Sequence, residues 1–208
     1  MSTLKVNKVE STGTGSDAEH LALATNGSTQ MYLTSAGALS GTGGSITNFT
    51  GLGKVLQVIA KDTVSTTAIS TDSLTPITEV DIHITPTAAS STFIVYGTGS
   101  LGGSSSTRLY AGFSRDVIGG VSGTLVGCGD ARGSRLQAAQ GIWCAGAGAA
   151  EPFAVHGNDS PNTTSELRYR LTAGTNSGTA YVNRSNEDSN NDASIAGKTT
   201  FTVMEIAG

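Results

Sequence analysis

Charge is scarce in this chain. Only 13% of its 208 residues are Asp, Glu, Lys or Arg, against roughly 25% in an ordinary soluble domain. Surface helices are built from Glu, Lys and Arg, so a helical enzyme is not the expected architecture. Twelve basic residues stand against sixteen acidic ones, for a net charge of −4. That leaves no cationic surplus for phosphate backbones, and nucleic acid is not an expected partner. Aromatics reach 5% and apolar residues 37%, short of the usual 45–50% or so. No apolar run approaches the roughly 18 residues of a membrane span, so no membrane insertion is expected. The opening Met1-Ser-Thr-Leu-Lys-Val-Asn-Lys has charge but no apolar stretch, unlike a secretory signal. Five Asn-x-Ser/Thr triplets, at Asn26, Asn48, Asn158, Asn162 and Asn183, carry no meaning without a secretory route. Two cysteines, Cys128 and Cys144, are too few for a disulfide framework. They read as small buried thiols, with an inter-strand bridge as the alternative.

Gly, Ser and Thr fill the gap and make up about two residues in five. The low net charge and the strand-sized apolar clusters argue against charge-driven disorder. Composition changes near Gly53. Residues 1–53 hold only two aromatics, Tyr32 and Phe49, and form a candidate N-terminal arm. Leu4, Val6 and Val9 make one small apolar cluster. Asn26-Gly27 then separates two alternating runs, Leu21/Leu23 and Met31/Leu33, a strong hairpin signal. So few apolar side chains cannot stabilise an isolated two-stranded hairpin in water. These seven residues are therefore candidate assembly contacts, in an arm that is intertwined with other copies or docked on something larger.

Residues 54–208 read as strand after strand: Lys54–Lys61, Ile77–Thr85, Thr92–Thr98, Thr107–Val117, Gly123–Cys128, Ser134–Ala145, Pro152–His156, Glu166–Ala173, Gly178–Asn183 and Thr199–Ile206. Val80, Ile82 and Ile84 alternate with Glu79, Asp81 and His83. Leu167, Tyr169 and Leu171 alternate with Arg168 and Arg170. Such strands have one buried and one wet face. No window shows a capped amphipathic helix. The expected fold is all-β: an extended or hairpin trimerisation arm followed by a jelly-roll-like β-sandwich head.

The order of these pieces resembles the fibre and appendage proteins of tailed bacteriophages, especially short tail fibres of marine phages. Leu4-Lys-Val-Asn-Lys-Val-Glu-Ser-Thr12 is similar to the opening of such fibres, and Leu21 to Gly37 to their shaft. Gly53-Lys-Val-Leu-Gln-Val58 resembles the start of their C-terminal domain. Ile84 to Val95, Phe113-Ser-Arg-Asp116 and Phe201 to Ala207 resemble its later strands. The resemblance implies a homotrimer with an intertwined stalk and a β-sandwich head, and it carries over no catalytic residue. Such fibres usually open with a larger tail-docking domain, whereas shaft-like sequence here begins almost at Met1. The expectation is a short fibre or knob contacting a host surface glycan or protein, or a capsid decoration protein stabilising the shell. Its other partners would be tail, collar or capsid proteins, and its location the virion, after synthesis in the host cytoplasm.

Chemical motifs are weak. Gly97-Thr-Gly-Ser-Leu-Gly102 fits the dinucleotide fingerprint, but Gly103-Ser-Ser-Ser and another strand follow where a helix is required. It reads as a flexible strand connection. His20, His83 and His156 are too dispersed for zinc, and no cofactor is expected. His156, Asp159 and Ser160 contain triad residue types but are crowded into one loop. Asp188, Asn190 and Asp192 alternate as calcium ligands do, yet Ala193 and Thr199 occupy the positions that need Gly and Glu. A solvated loop is expected, with calcium the alternative. Glu151, Asp159 and Asp188 are candidates by default for polysaccharide cleavage, a tailspike reading ranked behind a non-enzymatic one. Trp143, in an apolar run beside Cys144, is expected in the core or a subunit interface, with a sugar-stacking platform as the alternative. The arginines of the head are expected in surface pairs, with inter-subunit pairing or contact with acidic glycans as the alternatives. Ser104, Ser105, Asn186, Asp188 and Asn190, in two polar loops, are the candidate receptor contacts.

Overall fold

The structure, a computed structural model, describes residues 21–25, 28–33, 39–40, 53–191 and 194–208. The chain divides into two units, Met1–Leu52 and Gly53–Gly208. In the first, β1 (Leu21–Thr25), β2 (Ser28–Leu33) and β3 (Leu39–Ser40) form an antiparallel sheet. The hairpin register sets Leu21 opposite Leu33 and Leu23 opposite Met31, with an irregularity after Leu23. The four apolar residues singled out in the sequence are thus cross-strand partners. Leu4, Val6 and Val9 lie outside the described residues.

The second unit is a β-sandwich with jelly-roll-like layering. Its strands are β4 (Val55–Thr63), β5 (Ala68–Ile69), β6 (Thr75–Pro76), β7 (Ile82–Ile84), β8 (Thr92–Gly102), β9 (Thr107–Val117), β10 (Thr124–Val126), β11 (Gln140–Cys144), β12 (Ala150–Asp159), β13 (Leu167–Thr175), β14 (Ala180–Val182) and β15 (Thr199–Ile206). A front sheet centres on the β9–β13 pair, with β10 and β11 along the free side of β9 and β6 and β7 along that of β13. The back sheet centres on β8. On one side of it lies β12; on the other, β15 and then β14 follow in succession, backed by β4 and β5. All these pairings are antiparallel.

Alternation builds the core. Phe93, Val95 and Leu101 of β8 and Phe201 and Val203 of β15 point inward against Leu109, Phe113, Tyr169 and Leu171 of the front sheet, all buried. Phe113 stacks on Phe201 with centroids 5.6 Å apart, and Phe93 meets Tyr169 at 5.4 Å, so two aromatic pairs join the sheets. Where β10 and β12 close one edge, Gly127 (φ +60°) meets Gly157. A Cβ on Gly127 would lie 2.6 Å from the Gly157 Cα, so only glycine allows this approach.

The strand reading holds with local corrections. The alternation ending at Val80, Ile82 and Ile84 buries those three residues, but Thr78–Val80 is a turn of 3-10 helix, and β7 begins only at Ile82. Gly97 to Gly102 is not a connection; it continues β8. Cβ atoms at Gly97 and Gly99 would meet Leu171 at 2.7 Å and Phe153 at 2.8 Å, so these glycines make room for core side chains of other strands. Asn183, buried in a left-handed conformation, ties the back sheet together. Its amide donates to the carbonyls of Thr63 and Ser65 and accepts from Thr199 Oγ1.

Candidate functional site

Strand parity sends every second residue of the back sheet outward. Across β4, β15, β8 and β12, one outward row is Val58, Met204, Ile94 and Asn158; the next is Ala60, Thr202, Tyr96 and His156. Val58 is 56% exposed, Tyr96 45% and Ile94 37%. No Asp, Glu, Lys or Arg falls in either row. The first ion pair, Asp62 with Lys198, sits at the border. A contiguous, uncharged, partly apolar sheet face is uncommon on a solitary soluble domain.

The front sheet's outward face has the opposite character. Asp116, buried, accepts from Arg168 Nε at 2.9 Å and from Gly123 N at 2.7 Å, and Arg170 lies 3.0 Å from it. Arg170 also reaches Asp81 at 3.4 Å. Burial raises the Asp81 carboxyl above its ordinary value, against the lowering pull of Arg168, His83 and Lys61. His83 is exposed, as expected, and pairs with Glu166 at 2.8 Å.

One ion pair lies inside the sandwich. Arg115 points inward from β9 and gives Nη1 to both Asp159 oxygens, at 2.7 and 2.6 Å; Tyr169 Oη donates to the same carboxylate at 2.7 Å. Burial, and then the Asp159 charge, push the Tyr169 phenol far above its ordinary pKa, so it stays a donor. Arg115 therefore corrects the expectation of surface pairing. Asp159 is committed to this bridge, while His156 lies on the outward face, three residues away on the other parity. The triad types are not assembled. Of the carboxylates Glu151, Asp159 and Asp188, Asp159 is held as an ion-pair partner inside the sandwich.

The two candidate contact loops do come together. The β8–β9 turn carries Ser104 and Ser105, and the segment after β14 carries Asn186, Asp188 and Asn190. A Cβ on Gly102 would touch Arg184 and Ser185 backbone. Ser105 Oγ donates to Ala145 O and Glu187 N to Ala147 O, which brings the β11–β12 loop to the same end. Arg184 lies 3.9 Å over the Tyr181 ring and 3.5 Å from Asp188. Asp192 and Ala193 of the calcium-like spacing lie outside the described residues, and among those described no group of His, Cys, Asp or Glu is placed to hold a metal. Both cysteines are free, with Cys144 buried and Cys128 half-buried. Trp143 is not in the core of the head: it is 55% exposed, with the Arg108 guanidinium 5.8 Å from its ring centroid. Its neighbour Cys144 takes the inward parity that the apolar run suggested for both.

No family model and no curated protein sequence matches the chain. Among solved structures it is similar to Eiger TNF from S. frugiperda, at 11% identity over 72% of this chain and 93% of that one, with a TM-score of 0.38. It is also similar to a chain of infectious bursal disease virus Gx strain, at 13% identity and a TM-score of 0.35. That match takes in 72% of this chain but 39% of the viral one, so this chain spans about two fifths of its length. Both likenesses are too distant to bear on what this chain does.

Proposed function

We propose that the protein is a non-enzymatic structural component of a tailed-bacteriophage virion. It forms a homotrimer as a short fibre or knob, and the loops at one end of its head face the host. The observation that carries assembly is the uncharged back-sheet face, where Val58, Ile94 and Tyr96 stand exposed in neighbouring rows. The resemblance to phage fibres supplies the number of copies and the setting. Three copies give three equivalent contact surfaces, so weak single contacts add up through effective concentration.

Sedimentation of the full chain tests this. The wild type should have three times the 20.9 kDa chain mass, and Ile94→Glu or Val58→Glu should fall to the single-chain mass with an unchanged circular dichroism spectrum. A carboxylate buried in such a contact costs several kcal/mol. A wild-type monomer refutes the trimer, and trimeric variants refute this face as its interface. Purified protein that blocks phage adsorption supports host contact. Protein that does not block, in a phage whose particles become fragile without it, supports shell decoration instead.

A further inference from the structure

The front sheet carries an aromatic and polar groove that neither the assembly face nor the contact loops use. Tyr110 and Arg108 point outward from β9. Both cross-strand partners of Tyr110 are glycines, Gly141 in β11 and Gly174 in β13, so neither paired position sets a side chain against its half-buried ring. A Cβ on Gly141 would lie 4.0 Å from Tyr110 Cδ1; the ring leans across that bare position toward the β11 side, where Trp143 stands opposite Arg108. Two flat aromatic surfaces thus sit side by side, one partly and one largely open to solvent.

Beside Tyr110 opens a cleft of about 490 Å³ whose walls include Asp72, Ser134, Arg135 and Asn176. Arg108 N donates to Asn176 Oδ1 at 2.7 Å, which fixes the amide and leaves its NH2 group without a partner among the described residues. Asp72 and Arg135 are exposed and make no ion pair with any described residue. One carboxylate, one guanidinium and one amide therefore share a cleft without neutralising one another. A second cleft of about 390 Å³ continues from Arg135 and Leu136 to Leu125. Leu125 pairs with Ser114, six residues along β9 from Arg108, which makes the groove about 20 Å long at strand spacing.

We infer that this groove binds an uncharged oligosaccharide. A pyranose ring has one face of C–H groups and a rim of hydroxyls that both donate and accept. The C–H face stacks on Tyr110, and the next sugar lies on Trp143, where aromatic rings offer apolar area with little side-chain entropy to lose. The hydroxyls donate to Asp72 and accept from Arg135 and Asn176. Within the cleft Asp72 offsets Arg135 and repels an anionic sugar placed there, while the groove's third charge, Arg108, stands at the Trp143 end with its guanidinium 5.8 Å from the ring centroid. At its Trp143 end the groove adjoins the loop cluster, since Ser106 N donates to Cys144 O. This deepens the host-contact part of the proposed function, but it rests on separate residues on the other sheet.

Trp143 is the chain's single tryptophan, so its fluorescence reports directly on the groove. Full-length protein is titrated with neutral oligosaccharides of glucose, mannose, galactose and N-acetylglucosamine, and with oligogalacturonate as the acidic probe. At least one neutral oligomer should give a saturable change. Tyr110→Ala and Arg135→Ala should each weaken it about tenfold, the scale of a lost stacking or charge-assisted contact. Arg135 lies on an exposed loop, so its variant is the check that does not depend on strand packing. Ile94→Glu, on the opposite sheet, should bind each single chain as the wild type does. No saturable change across the neutral panel, binding that survives both groove variants, or a preference for oligogalacturonate overturns the inference. None of these outcomes alters the sedimentation result, so the two readings fail separately.

Discussion

Replacing Asp159 with Asn probes the bridge that crosses the sandwich. The wild-type carboxylate takes Arg115 Nη1 on both oxygens and the Tyr169 hydroxyl on one, with Arg115 and Asp159 side chains 12% and 13% exposed. Asn keeps the shape but removes the charge, which leaves a guanidinium in a mostly dry site. Breaking a buried pair from one side costs about 3–5 kcal/mol. Residual exposure and the amide's own hydrogen bonds bring the expected loss to the lower end, about 2–3 kcal/mol. For a domain of this size each kcal/mol moves Tm by about 2–4 °C, so Asp159→Asn should melt roughly 5–10 °C early. Thermal and urea unfolding are run at one fixed protein concentration, because association makes Tm depend on concentration. The decisive measurement is the cycle with Arg115→Met and the double variant Arg115→Met/Asp159→Leu. Replacing both charges with apolar groups of similar volume is often near neutral, so the double variant should recover most of the loss. Additive single effects, or a single loss below about 1 kcal/mol, would refute the bridge as a coupled unit.

Two further perturbations follow from the same geometry. Burial raises the Glu205 carboxyl, but hydrogen bonds from Thr87 N and Oγ1 and from Gln57 Nε2 outweigh it and hold the group below its ordinary 4.5. Glu205 therefore contributes stability above that value and loses it as pH falls through the folded pKa. Asp81, raised by burial above 3.8, acts in the opposite sense and takes stability away as pH rises past its unfolded value. Urea midpoints between about pH 3 and 6 should show a shallower acid loss in Glu205→Gln and a steeper one in Asp81→Asn; an unchanged acid limb in Glu205→Gln counts against the first assignment. Gly127→Ala should cost about 2–3 kcal/mol, from the left-handed backbone and the clash with Gly157. Gly157→Ala, where a Cβ would meet the Gly127 Cα at 2.9 Å without a positive φ, should cost less, as differential unfolding would show.

What the sequence discloses depends on whether a signal is local. Thr107–Val117 and Thr199–Ile206 can be bounded in advance because alternation runs uninterrupted between turn residues, and β9 and β15 have those bounds. The Thr78–Val80 turn is invisible to the same reasoning, since a 3-10 turn can bury Val80 as well as a strand can. Glycines mislead in β8: in sequence they read as turn residues, while their reason lies in Leu171 and Phe153, far along the chain. Arg115 sits at the inward parity of Phe113 and Val117, yet nothing near it announces Asp159, 44 residues away. Trp143 lies outside the core for the reverse reason. Its neighbours are apolar, but parity sets it and Cys144 on opposite faces. The groove is illegible for the same cause, being assembled from Asp72, Tyr110, Arg135 and Asn176 on four separate segments.

The scarcity of charge acquires a physical meaning once the sheets are compared. The front sheet's outward face carries the Asp116, Arg168 and Arg170 cluster, the His83–Glu166 pair and Arg108 beside Trp143, while the central rows of the back sheet have no charge. A solitary sandwich gains solubility by charging both faces, and an uncharged flat face is an aggregation hazard unless something covers it. In the proposed trimer the bare sheet is the covered one, and the polar sheet with its groove faces away from the contact. Assembly and ligand capture then place no conflicting demand on any residue. Adding charge at Ile94 should therefore change how many copies stay together and leave the groove's intrinsic affinity alone, whereas removing Tyr110 should do the reverse.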